Sequence, residues 1–181
     1  SAFCSIMTVV ITFFLASRLA KNYLAGFFSA LVLISNIEFL FRGRQINTEL
    51  PLTLFLTLAV FAALISNLSQ KKYWLLVMFA SLGLALITKR ATTFMVLPAL
   101  IYLITISKSK LLGAKNLFYG FIILALIAFP WYILNFLKWG TLFWREFFIG
   151  YTWGKIFSVN QTTGTSPLFY IESLAHSFKF F

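Results

Sequence analysis

Apolar runs about as long as a lipid bilayer is thick, broken by short polar and basic stretches, leave this chain few ways to fold. A helix rises about 1.5 Å per residue, so about 20 mostly apolar residues cross a hydrocarbon core about 30 Å thick. Six stretches fit that length when loop signals set their ends: residues 2–17, 24–41, 50–66, 73–88, 91–106 and 117–135. The fourth and fifth are short and meet at Thr88-Lys89-Arg90. A basic pair is costly at a bilayer centre, so 73–106 reads as a helical hairpin with Lys89 and Arg90 at the water interface. The expected fold class is all-α, a polytopic transmembrane bundle of about six spanning helices. A chain that is 61% hydrophobic and 10% charged, with a mean hydropathy of +0.92, has too few polar groups to cover a water-soluble surface.

Formal charge is +11, which suits either nucleic acid or the anionic surface of a membrane. The apolar runs decide for membrane lipids, and no nucleic-acid partner is expected. Cys4 stands alone, which excludes an intramolecular disulfide, and one Cys with one His excludes a soft-ligand zinc site. Ser1 is followed at once by apolar residues without the basic stretch of a signal peptide, so the chain reads as an internal piece of a longer protein.

Six spans divide the loops between two faces. Arg18, Lys21, Lys71, Lys72, Lys108, Lys110 and Lys115 fall on one with no acid, while the short loops of the other carry Arg42, Arg44, Lys89 and Arg90. Seven cations against four make the first face cytoplasmic by the positive-inside rule. Glu38, Glu49, Glu146 and Glu172 then all lie toward the extracytoplasmic face. Residues 136–181 are less apolar and broken by Gly140, Gly150, Gly154, Gly164 and Pro167. They read as an extracytoplasmic segment lying on the membrane, with Trp139, Trp144 and Trp153 at headgroup depth among Lys138, Arg145 and Lys155.

The loop Phe41-Arg-Gly-Arg-Gln-Ile-Asn-Thr-Glu-Leu-Pro-Leu52 feeds the third span. Thr48 or Asn47 can cap that helix, Pro51 suits its first turn, and Glu49 there is stabilised as an anion by the helix N-terminus. A well-formed helix start would show the same residues, so Glu49 is a candidate and no more at this level. Glu38 and Arg42 stand four apart and are expected to pair structurally. Arg44, Lys89 and Arg90 end neighbouring spans, where they either snorkel or converge on a phosphate headgroup. Phe129-Pro-Trp-Tyr132 is expected to close the sixth span and anchor it at the interface. His176 receives no role, and the sequons at Asn67 and Asn160 are weak signals.

Taken in order, Arg42 to Pro51, Lys72-Tyr-Trp-Leu-Leu, Leu82-Gly-Leu-Ala-Leu-Ile-Thr-Lys89, Phe129-Pro-Trp-Tyr132 and Arg145-Glu-Phe-Phe-Ile-Gly-Tyr151 resemble the landmarks of the dolichyl-phosphate-mannose protein mannosyltransferase superfamily, which includes the aminoarabinose transferases of lipid A. The resemblance implies a type C glycosyltransferase fold in a bacterial inner membrane. It also implies an extracytoplasmic active site, a polyprenyl-phosphate-linked sugar donor and an extracytoplasmic acceptor. The catalytic base is expected in a first outer loop upstream of Ser1. By the same resemblance Glu49 positions the acceptor or a divalent metal and Lys89 contacts the lipid phosphate, with Arg44 and Arg90 the further cations that the span ends offer that phosphate. No cofactor is otherwise called for. Relatives often carry a His near Gln161 to Gly164, where this chain has Thr162 and Thr163. The alternatives are a transporter or lipid flippase, or a non-catalytic membrane subunit. Transport is disfavoured because Pro98 alone interrupts a span centrally and the charges sit at span ends.

Overall fold

The computed structural model describes residues 1–89, 93, 96–98, 100, 101 and 114–144, in two compact units, Ser1–Ile133 and Leu134–Phe181. Every described element is helical: α1 (Ala2–Ala20), α2 (Tyr23–Ser35), α3 (Ile37–Arg44), α4 (Glu49–Ser69), α5 (Lys72–Thr88) and α6 (Ala114–Trp144). Among the described residues, three helices are long and apolar enough to cross a membrane, namely Ala2–Ala20, Glu49–Ser69 and Lys115–Thr141. The pair α2 and α3 makes a fourth if counted as one span, and α5 is apolar but shorter, at 17 residues. The fifth expected span, 91–106, lies largely outside the described residues.

Water cannot satisfy polar groups inside lipid, so each must be paired within the chain. The helices do this for the backbone, and the hydroxyls copy the rule by donating one turn back. Thr8 bonds the carbonyl of Cys4 at 2.7 Å, Ser17 that of Phe13 at 2.7 Å and Ser81 that of Val77 at 2.8 Å. Among the described residues no buried side-chain nitrogen or oxygen lacks a partner.

Residues 24–41 do not form the single straight span expected from hydropathy. Asn36 ends α2 in an extended conformation, and its Oδ1 accepts the Phe39 amide at 2.9 Å, starting a new helix bent by 66° from the first. An Asn side chain that outcompetes the helical backbone for an amide is the physical reason for the break. With 13 residues α2 is only about 20 Å long, and α3 turns sharply away from it.

In the first unit the tightest packing joins α4 to α5. Ala59, Ala62 and Ala63 bring the α4 backbone close to Leu75, Met78, Phe79 and Leu82, and Val96 and Leu100 complete the buried cluster. Alanine permits that approach where a larger side chain would hold the helices apart. Glycine does the same at two other crossings. A Cβ on Gly26 of α2 would stand 2.6 Å from the Phe13 carbonyl oxygen of α1, and one on Gly120 of α6 would stand 2.8 Å from Cγ of the buried Phe79 of α5. The contacts Phe79 with Gly120, Gly83 with Ile127, and the Tyr132 hydroxyl with the Leu86 carbonyl at 3.4 Å advance along both helices together, so α5 and α6 run parallel.

Phe129-Pro-Trp-Tyr132 does not close the sixth helix. Pro130 lacks the N–H that would reach the Leu126 carbonyl, yet α6 continues through it, and the non-helical residue is Gly140 at φ 57° and ψ −140°. In the second unit, residues 134–144 continue α6, and the Lys138 ammonium lies 5.4 Å from the centre of the Trp139 ring. The remainder of the expected interfacial segment, 145–181, lies outside the described residues.

Gly120→Ala should destabilise the bundle by about 1–3 kcal/mol, because the added Cβ would overlap the ring of the buried Phe79. The check is the melting temperature of the purified protein in detergent, and Phe79→Leu in the Gly120→Ala background should recover part of the loss.

Candidate functional site

The chain direction of the helices sorts the charges. α1 and α4 begin, and α3 and α5 finish, at one end of the bundle, which gathers Glu38, Arg42, Arg44, Glu49 and Lys89. The opposite end holds Arg18, Lys21, Lys71, Lys72 and Lys115, with no carboxylate among the described residues. Each charge at the mixed end suits its helix terminus. Glu38 and Glu49 stand in the first turns of α3 and α4, Arg42 and Arg44 in the last turn of α3, and Lys89 caps the C-terminus of α5.

Four of these side chains form a continuous chain of ion pairs. Arg42 donates from Nε and Nη2 to Glu38 Oε1 at 3.0 and 2.6 Å, the i,i+4 pairing expected from the sequence. Its Nη1 reaches across the loop to Glu49 Oε2. The other oxygen of Glu49, Oε1, accepts from Lys89 Nζ at 3.2 Å. The carboxylate of Glu49 is thus shared between α3 and α5, one oxygen to each. The side chains of Arg42, Glu49 and Lys89 are 39%, 41% and 44% exposed. At that exposure each pair contributes only about 0–1 kcal/mol to stability, so the network fixes geometry more than it holds the fold together.

The loop that delivers Glu49 is built by Asn47. Its Oδ1 accepts the amides of Glu49 at 3.2 Å and Leu50 at 3.4 Å, while the side chain of Thr48 makes no capping bond. Of the two caps the sequence offered, Asn47 does the work. The Asn47 amide lies 3.4 Å from the Ser1 hydroxyl, and Gly43 approaches Ser5, so the start of α1 backs this loop.

Two of the expected site residues, Glu49 and Lys89, are therefore in direct contact although 40 positions apart. Arg44 is exposed on the last turn of α3 and makes no ion pair with any described residue. Arg90 lies outside the described residues. The residue that sequence reasoning under-read is Arg42, whose second partner depends on the bend at Asn36. Among the described residues no group of three or more His, Cys, Asp or Glu lies together as a metal site. With a cation on each of its oxygens, Glu49 is in surroundings that disfavour a divalent ion beside it. Among the described residues, the Arg44 guanidinium is the side-chain charge at this end that makes no ion pair.

Asn47→Ala should cost about 0.5–2 kcal/mol through the lost cap. Hydrogen exchange of the Glu49 and Leu50 amides should accelerate, while the α4 amides near Ala62 stay protected.

Comparison with known proteins adds the identity of this arrangement. No curated protein and no solved structure matches the chain significantly. Residues 1–134 match the sequence model of the family described as dolichyl-phosphate-mannose-protein mannosyltransferase. The match contains the whole charged end, Glu38 to Lys89, and stops before the Arg145 to Tyr151 landmark. From α1 to the middle of α6, in its apolar helices and in the loop that carries Glu49, the chain belongs to the dolichyl-phosphate-mannose-protein mannosyltransferase family, and it is an integral membrane glycosyltransferase.

Proposed function

We propose that this glycosyltransferase takes its sugar from a polyprenyl-phosphate carrier and passes it, at the extracytoplasmic face of a bacterial inner membrane, to a hydroxyl on a protein, lipid A or another glycan. The observation that carries the reading is the Glu49 carboxylate held between Arg42 and Lys89, with the unpaired Arg44 at the same end of the bundle. Transfer from a polyprenyl phosphate leaves negative charge on the departing phosphate, which needs cations placed in advance. Lys89 and Arg44 supply them, and Arg90 adjoins Lys89 in sequence. The acceptor oxygen needs a hydrogen-bond acceptor that orients its hydroxyl, and Glu49 is the carboxylate in contact with Lys89. A divalent metal is left out of this reading, given the two cations on Glu49.

Charge supports this choice of face. The end opposite the site carries Arg18, Lys21, Lys71, Lys72 and Lys115 without a described acid, which favours the cytoplasm for that end. A lipid-linked donor reaches the site from within the bilayer, where its phosphate sits at the headgroup level beside the helix ends.

Radiolabelled sugar transfer from a panel of polyprenyl-phosphate sugars, in membranes holding the complete protein, tests both donor and site. Glu49→Gln and Lys89→Ala should each lower transfer on the order of 10²-fold while membrane insertion is retained. Lys72→Ala at the opposite end should transfer like wild type. Wild-type rates in both site variants would remove the site assignment. Silence of the wild type across the panel, with insertion verified, would remove the donor class.

A further inference from the structure

We infer that Arg42 is a positioning residue that frees Lys89 for the donor phosphate. The inference rests on the proposed donor class and adds a residue and a division of labour to it. Glu49 has two cationic partners, and they differ in kind. Arg42 is anchored at its far side by two hydrogen bonds to Glu38, at 2.6 and 3.0 Å, so its guanidinium is fixed before it meets Glu49. A planar guanidinium held on both sides has little freedom left to lose. Lys89 meets Glu49 through a single bond of 3.2 Å at the end of a flexible four-carbon stem, and no other carboxylate among the described residues pairs with it.

The asymmetry sets which cation can move. If Lys89 swings to an arriving phosphate, Arg42 stays on the carboxylate and Glu49 is not left as an unneutralised charge near lipid. Without Arg42 the departure of Lys89 would strand Glu49, so Lys89 stays and the phosphate loses its cation. Arg42 touches neither donor nor acceptor in this scheme. It acts by compensating Glu49, and its presence matters only while that carboxylate is there.

That dependence gives a test that separates positioning from mere structural support. Donor KM and kcat are measured with undecaprenyl-phosphate sugars and the complete protein in membranes. Arg42→Gln should raise donor KM about tenfold, equivalent to about 1.4 kcal/mol, with a smaller change in kcat, and Arg42→Lys should recover part of the loss. Adding Glu49→Gln to Arg42→Gln should return donor KM toward the wild-type value, although kcat stays low, because no carboxylate then competes for Lys89. A simple loss of packing at Arg42 would persist in the double variant, and that result overturns the inference while the donor class stands. Wild-type KM in Arg42→Gln overturns it equally. Failure of the wild type to transfer from any donor overturns the donor class and this inference with it.

Discussion

Lipid offers no hydrogen bonds, and the rest of the structure follows from that. Polar atoms in the apolar stretches are best satisfied along the same chain, which favours helices and sends Ser and Thr hydroxyls back to a carbonyl one turn earlier, as in Thr8 to Cys4 and Ser81 to Val77. The same constraint expels charge to the helix ends. Arg42, Glu49 and Lys89 come together not because their sequence positions are near but because three helices end or begin at one level. The lipid-phosphate site proposed above lies at that level.

The first, third and sixth spans and the sorting of charge that puts Glu49 and Lys89 at the same end were legible in the sequence because they depend on quantities that add along a chain, namely hydropathy, length and loop charge. The bend at Asn36 was not. Its effect comes from one side-chain oxygen capturing one amide, and a hydropathy average over 24–41 passes over it. Pro130 misled in the opposite direction. A residue that ends helices in water is carried through here, since in lipid the alternative to continuing is exposed backbone. Arg42 shows how the two failures combine. Its pairing with Glu38 is helix arithmetic, while its pairing with Glu49 exists only because the chain turns at Asn36 and is restarted by Asn47.

Close packing in this bundle relies on small residues more than on large ones. Ala59, Ala62 and Ala63 set the distance between α4 and α5, Gly26 that between α1 and α2, and Gly120 that between α5 and α6. Many large side chains, such as Phe3, Phe14, Phe27 and Phe28, face outward, while Leu75, Met78 and Phe79 fill the space beside the alanines. Apolar burial supplies little drive for helices already in lipid, so dispersion between closely approaching backbones takes its place.

The parallel course of α5 and α6 bears on how the chain assembles. α1 with α2 and α4 with α5 are neighbours in sequence and can pair as hairpins soon after they leave the ribosome, whereas Phe79 meets Gly120 only across some forty positions of sequence. Glu49 and Lys89 flank the α4–α5 hairpin, so the bond between them needs no residue of α6. A late helix can then join a charged cluster that its predecessors already suffice to form.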